Sequence, residues 1–313
     1  MKRILIAGGA GFLGSYLVEN LIKNYDIIVV DNLSSGLKSN LNEIYKDIEF
    51  IKSDIMDFRY EKPVDIIVDL ASRASRVEWE TYPVEVALSN SMGTNNLIKL
   101  ALKNNALFIY ASSSEVYGSP DVFPTPESYI GKVDTISSRS PYDEGKRFSE
   151  ALVKSYEKEY QLKDIIIRFF NTYGPRMRGG DFYGRVIDRF ILQALSNKPI
   201  TVYGKGDQTR SFTYVSDTVD GINLLIDKGK IGEVYNIGND VETRIIDIAK
   251  IIKENSNSLS NIAYKKLPEN DPLRRSADIS KMKILGWKHK ISLENGIIKT
   301  IKSYQNNQSN VLS

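Results

Sequence analysis

Ile4-Leu5-Ile6-Ala7-Gly8-Gly9-Ala10-Gly11-Phe12-Leu13-Gly14 is the stretch whose reading decides the fold. Ile4–Ala7 is a short apolar run closed by glycine, the pattern of a buried strand. Helical spacing follows at Leu17, Val18, Leu21 and Ile22. Gly8, Gly11 and Gly14 therefore stand between a strand and a helix. Gly8 allows the tight turn, Gly11 lets the backbone approach a pyrophosphate at the helix N-terminus, and Gly14 permits close helix–strand packing. A second strand, Asp26–Val30, ends at Asp31. An acid at that strand end can bind both ribose hydroxyls of NAD and repels the extra phosphate of NADP. Asp31 could instead be a turn residue before Asn32, but the glycines favour the ribose role.

Outward from this unit the alternation continues. Glu49–Lys52, Asp65–Leu70, Ala106–Ala111 and Asp164–Phe169 read as strands, and Asp65–Leu70 lacks any polar alternation, as a parallel strand buried on both faces should. Helical spacing runs from Pro83 to Lys103. The fold class is α/β: a Rossmann-type doubly wound parallel sheet with a smaller C-terminal α/β substrate lobe. Residues 1–175 form the dinucleotide-binding domain, with later segments at about 211–240 interleaved, and 176–313 the lobe. Past residue 175 a helix is expected near Tyr183–Ser196, strands at Ile200–Tyr203 and Val234–Ile237, helices at Val215–Asp227 and Ile245–Lys253, and a last helix near Leu293–Ile301. Gln305–Ser313 is polar and expected to be disordered.

The chain has 313 residues, 42% hydrophobic and 26% charged, with a net charge of +3 that forms no basic block for nucleic acid. It has no cysteine and one histidine, His289, in a polar run expected at the surface. Disulfides, Cys nucleophiles and His-rich metal sites are thereby excluded. No apolar run suits a bilayer span and no signal-peptide core is present, so the expected location is the cytoplasm.

Chemistry concentrates in Ser140-Pro-Tyr-Asp-Glu-Gly-Lys146. Ser140 suits a helix N-cap, Pro141 the first turn, and Asp143 and Glu144 the positive helix end. Tyr142 and Lys146 are four apart and share a helix face. An ammonium beside a phenol favours the phenolate, which makes Tyr142 a candidate general base. A lone Tyr-x-x-x-Lys in a chain with 18 tyrosines carries little by itself. Ser112-Ser113-Ser114-Glu115 follows the fifth strand, at the strand end where such sheets place ligands.

Together, Gly8–Gly14, Asp31, Ser112–Gly118, Tyr142–Lys146, Phe170–Arg176 and Thr201–Asp217 resemble the extended short-chain dehydrogenase/reductase family, the NAD-dependent nucleotide-sugar epimerases, dehydratases and decarboxylases. The resemblance covers nearly the whole chain and implies NAD, a UDP-sugar substrate and a homodimer pairing helices near Pro83–Lys103 and Pro141–Tyr160. Cofactor contacts carried over are Gly8, Gly11, Phe12, Leu13, Gly14 and Asp31. Asn32, Ser35, Gly36, Asp54, Ile55, Leu70, Ala71 and Ser72 flank them, and Tyr142 and Lys146 complete the set. Within the family, Ser114-Glu115 with the later Asp-Pro-Leu-Arg-Arg275 resembles the UDP-glucuronate decarboxylases. Dehydratases carry Asp where Ser114 stands, and many 4-epimerases lack the Glu. Arg73 and Arg76 depart from the family's usual proline.

The resemblance implies Tyr142, Lys146, Ser113, Ser114, Glu115 and Arg275 as catalytic residues. Asn171, Arg185, Tyr203, Gln208, Arg210 and Arg275 are implied for the nucleotide diphosphate or sugar, a role that suits the planar fork of arginine. A 4-epimerase is the alternative, and a 4,6-dehydratase or a non-catalytic NAD-binding protein stands behind it.

Overall fold

The structure, a computed structural model, describes residues 1–177, 185–267 and 273–311, with side chains to residue 306. Tyr183, at the start of the helix expected over Tyr183–Ser196, lies outside the described residues, as does the Asn270-Asp271-Pro272 run before Leu273. Six strands, β1 (Arg3–Ala7), β2 (Asp26–Asp31), β3 (Glu49–Lys52), β4 (Ile66–Asp69), β5 (Leu107–Ser113) and β6 (Lys163–Phe169), are joined by a seventh, Glu233–Ile237. They form one parallel sheet in the order Glu233–Ile237, β6, β5, β4, β1, β2, β3. The apolar runs follow from burial on both faces. Ile4 and Ile6 enter one core, while Leu5 and Ala7 enter the other. Ile27 and Val29 separate from Ile28 and Val30 in the same way. Each such Ile, Leu or Val side chain contributes about 1.5–3 kcal/mol of burial.

Helices complete both layers. α1 (Phe12–Leu21) and the helix Val215–Lys228 cover the first face with Leu17, Val18, Val219 and Ile222. The short α2 (Arg76–Thr81) and α3 (Pro83–Leu88) lead into α4 (Thr94–Asn104), which covers the second face with α5 (Ser140–Tyr160) through Leu97, Ile98, Ala101 and Val153. A third core, with Phe190, Ile191, Ile248, Ile252 and Ile297, lies between the helices Val186–Leu195, Ile245–Asn255 and Leu293–Val311. Small two-stranded pairs surround it: Ile200–Tyr203 with Ile262–Lys265, and Thr209–Arg210 with Thr243–Arg244.

Several local expectations are corrected. The helix expected over Pro83–Lys103 is interrupted by a π turn at Ser89–Gly93. The widened turn buries Asn90, to whose Oδ1 Ser72 donates at 2.8 Å. Ser140 is not the cap of α5; Arg139 is. The chain is already turning there, with Ser140 N donating to Ser137 O at 3.0 Å and Asp143 N to Arg139 O at 3.1 Å, so no serine hydroxyl is needed. The last helix runs to Val311, through most of the Gln305–Ser313 stretch expected to be disordered. Tyr304 anchors it by donating to Met177 O at 3.2 Å and Asp188 Oδ1 at 3.3 Å. His289 is half-buried against Trp287, ring centroids 4.7 Å apart.

Candidate active site

Strand order reverses at β1, with β4 on one side and β2 on the other, and a cavity of about 340 Å³ opens beyond their C-terminal ends. Gly8 forms its edge with φ +77°, and a Cβ there would come within 2.9 Å of Ala71 Cα. A Cβ on Gly14 would overlap the Gly8 carbonyl. The glycines therefore leave backbone, and no side chain, between the cavity and the sheet. Phe12, Leu13, Asn32, Ser35, Asp54, Ile55, Leu70, Ala71 and Ser72 line the cavity with Gly8, Gly11, Gly14 and Asp31. Gly36 does not; it packs behind Asp31, where a Cβ would meet Oδ2 at 2.9 Å. Ser34, Leu37 and Asn40 line the cavity without having been expected.

Asp31 Oδ2 accepts from Ala10 N at 3.0 Å and Oδ1 from Leu33 N at 2.8 Å. The carboxylate thus ties the glycine loop to the end of β2. Burial raises its pKa and these two N–H groups oppose that rise. A carboxylate has about four acceptor positions, so both oxygens keep capacity for hydroxyl groups.

At the far end of the cavity, α5 presents Tyr142 and Lys146, both buried. Lys146 Nζ donates to Ala111 O at 2.7 Å and lies 5.9 Å from the Tyr142 ring centroid. Burial pushes the ammonium down to about 8, opposed by Asp69 and Glu150. The expected lowering of the phenol does not occur in this state. Burial pushes Tyr142 up to about 12, outweighing a hydrogen bond from Ser113 and the charge of Arg185, while Glu115 and Asp143 add to the rise. Sequence spacing displays the ammonium and conceals the desolvation.

Ser113 ends β5 and lines the cavity; Ser114 is buried just beyond it and does not. Glu115 follows. Arg275 grips it with both terminal nitrogens, one at 3.0 Å from Oε2, and Arg139 pairs with the same oxygen. Burial works against the Glu115 charge, but the two guanidinium groups overcome it and hold the carboxyl at about 2. Asp143 is driven the other way by burial and by the Glu115 charge. Arg139 also reaches Asp143 at 3.4 Å.

The substrate candidates divide. Arg185 lines the cavity. Asn171, Tyr203, Gln208, Arg210 and Arg275 stand outside its lining. Asn171 Nδ2 donates to Ser211 O at 3.1 Å, and Ser211 N donates to Arg275 O at 3.1 Å, which draws Asn171, Arg210 and Arg275 together. Gln208 Nε2 donates to Tyr203 O at 2.9 Å in a second group. Arg73 lines the cavity, whereas Arg76 pairs with Glu80 at 2.9 Å on the outside of α2.

The NAD dependent epimerase/dehydratase family matches residues 4–238. This chain belongs to that family. UDP-glucuronic acid decarboxylase 1 of Xenopus tropicalis is 41% identical over 308 residues, covering 97% of this chain and 72% of that protein. The crystal structure of a UDP-glucose 4-epimerase with UDP-glucose from Thermotoga maritima has a TM-score of 0.89 at 31% identity, covering 98% of this chain and 99% of that one. A UDP-glucuronic acid 4-epimerase mutant from Bacillus cereus, in complex with NAD and a fluorinated UDP-glucuronic acid, has a TM-score of 0.88 at 28% identity, covering 97% and 99%.

This member of the epimerase/dehydratase family is an enzyme with NAD as cofactor, and its cavity fits that group. The cradle at Gly8 and Gly14 is one a Cβ would fill, and Asp31 stands at the end of β2 where a ribose is read. Among the described residues no cluster of His, Cys, Asp and Glu could hold a metal, and no helix is long and apolar enough to cross a membrane. Two neighbours of the site went unnoticed in the sequence. Arg139 is a cation at the positive end of a helix, which runs against the dipole and is itself a signal of a buried anion. Trp79 stacks on Tyr142 and follows a Ser75-x-x-Glu78 capping box that could have been read.

Proposed function

We propose that this enzyme is a UDP-glucuronate decarboxylase forming UDP-xylose. The observation that carries the reading is Glu115, held ionised by Arg139 and Arg275 at the end of β5 beside the Tyr142 phenol. The near-full-length likeness to the Xenopus tropicalis UDP-glucuronic acid decarboxylase supports it.

NAD would supply, when bound, a reversible hydride acceptor for sugar C4, with no net oxidation over the cycle. Gly8, Gly11, Gly14 and Asp31 would hold its diphosphate and ribose, and Lys146 its second ribose. Tyr142 takes the proton of the C4 hydroxyl, with Ser113 in hydrogen-bond reach of the same phenol. Burial holds the Tyr142 phenol up at about 12, so a nearby positive charge, such as the Lys146 ammonium on the same helix face, would favour its release of the proton. A C4 ketone makes the C6 carboxylate part of a β-keto acid. Carbon dioxide leaves as the C5–C6 electron pair moves into an enolate at the C4 oxygen; C5 then gains a proton from solvent, and the proton held by Tyr142 returns to the C4 oxygen on re-reduction. Glu115 stays ionised near neutral pH, so it carries no proton; it fixes Arg139 and Arg275 at the end of β5. Ser114 carries no acidic proton, in keeping with decarboxylation over dehydration. Asn171, Arg185, Tyr203, Gln208 and Arg210 are assigned to the nucleotide and diphosphate.

The same reading divides the chain into an NAD-binding part, residues 1–175 with about 211–240, and a nucleotide-sugar lobe. It also makes the enzyme a homodimer. Val84, Leu88 and Phe148 are exposed apolar side chains on α3 and α5, which pack together. Proton NMR of the protein with UDP-glucuronate is the test. UDP-xylose and carbon dioxide are expected; UDP-galacturonate would replace this reading with a 4-epimerase, the activity named for structural relatives from Thermotoga maritima and Bacillus cereus.

A further inference from the structure

α2 has six residues, too few to hold a helix unaided, and is fixed from its first turn. Ser75 Oγ accepts from Glu78 N at 3.4 Å and donates to Glu78 Oε2 at 3.0 Å. Arg73 donates to the other Glu78 oxygen at 3.4 Å. The next residue is Trp79, whose Nε1 donates to Arg73 O at 3.0 Å. The indole is 6% exposed and lies against the Tyr142 ring with centroids 4.6 Å apart and planes 14° from parallel. The Arg139 guanidinium lies 5.5 Å from the indole. The decarboxylation chemistry assigns no task to this side chain.

We propose that Trp79 is a positioning residue: its indole face fixes the plane of the Tyr142 ring and so aims the phenol oxygen at the substrate hydroxyl. A tyrosine has two soft side-chain torsions, and its oxygen lies at the far end of both, where small rotations become large displacements. Proton transfer needs heavy atoms within about 3 Å, and a misplacement of about 1 Å can cost about 100-fold in rate. A parallel stack restricts the ring plane and leaves the hydroxyl edge open. An aliphatic neighbour would fill the same space without setting the plane. The indole also keeps water from one face of the phenol, in keeping with the burial that pushes Tyr142 up to about 12. The charged groups around the phenol are Asp143 and Lys146 on its own helix, Glu115 after β5, Arg185 at the head of Val186–Leu195, and Arg139.

This inference rests on Tyr142 as the group that moves the C4 proton, and the experiment keeps the two apart. NAD-loaded wild type, Trp79→Leu and Trp79→Phe are compared for turnover of UDP-glucuronate and for ultraviolet titration of Tyr142, taken as the difference from matching Tyr142→Phe proteins. Trp79→Leu should lose about 30-fold in kcat with KM within about twofold, while Trp79→Phe stays within about threefold of wild type. The Tyr142 titration should move to lower pH in Trp79→Leu and stay in place in Trp79→Phe. Trp79→Leu turning over at the wild-type rate would overturn the proposal. So would parallel loss of kcat, bound NAD and cooperative unfolding in both variants, which is the mark of a merely structural residue. A wild type inactive on UDP-glucuronate whose titration still responds to Trp79→Leu would sink the decarboxylase reading and leave this one standing.

Discussion

The cofactor crevice and the Glu115 cluster lie next to each other and are built on opposite principles. The crevice is shaped by what is missing. Gly8 and Gly14 leave backbone exposed where a Cβ would collide, and the ends of β1, β2 and β4 supply its neighbouring walls. The Glu115 cluster is shaped by charge. Glu115 and Arg275 are 160 residues apart and meet only because the C-terminal lobe folds back over β5. A surface made by backbone sterics tolerates little change of shape and much change of pH. A cluster made by ion pairs behaves in the reverse way.

The largest expected effect lies where the two regions meet. Tyr142→Phe should lower kcat by about 10³-fold while leaving bound NAD intact. Nucleotide released on denaturation, measured beside the rate, checks both halves. A Phe variant with near-normal turnover would break the assignment of the site. Next comes Glu115→Gln, which leaves two buried guanidinium groups facing a neutral amide and should destabilise the fold by about 3 kcal/mol. The pH dependence gives the sharper reading. The folded pKa of Glu115 is depressed, so its stabilisation is complete above the ordinary value of 4.5 and is lost as pH falls toward about 2. Denaturant titrations across that window should show a steep loss in wild type and a shallower one in Glu115→Gln. Equal slopes would contradict the ion-pair account.

The crevice should answer to shape. Gly14→Ala places a methyl group on the Gly8 carbonyl, an overpacking worth about 1–3 kcal/mol, or roughly tenfold or more in NAD affinity. Calorimetry at two pH values should give the same loss at each; a strongly pH-dependent loss would blur the contrast. The smallest effect is expected at Arg76→Ala. That side chain is half-exposed and paired with Glu80 one turn away, an arrangement worth about 0.5 kcal/mol at most. A change in sugar preference from Arg76→Ala would show that the substrate surface extends farther than the present lining, which includes Arg73 and not Arg76.

This contrast also explains what could be read in the sequence. Glycines, the acid at the end of β2 and the Tyr142–Lys146 pair act through local spacing, so a linear chain displays them. Family resemblance singles out Glu115 and Arg275 separately, and their ion pair emerges only in the fold, because nothing local joins two residues so distant. The rise of the Tyr142 phenol is hidden from the sequence for a related reason. Spacing reveals the nearby ammonium, but burial is a property of the assembled fold, and here burial decides the sign. Tyr203, Gln208 and Arg210 bear a recognisable motif, yet they contact other parts of the lobe and do not line the cavity. The π turn at Ser89–Gly93 hides inside a helical pattern, because its extra residue leaves the apolar spacing on either side intact.

The strand Glu233–Ile237 pairs along β6 although it is the last of the seven to be made. A ribosome delivers β6 long before that partner. Until Ile237 emerges, the nascent sheet presents an unpaired edge of amides and carbonyls, a ready template for another chain. The interval between the two strands is therefore a period of exposure during synthesis, set by translation speed and not by stability. Slow translation between residues 170 and 232 lengthens it.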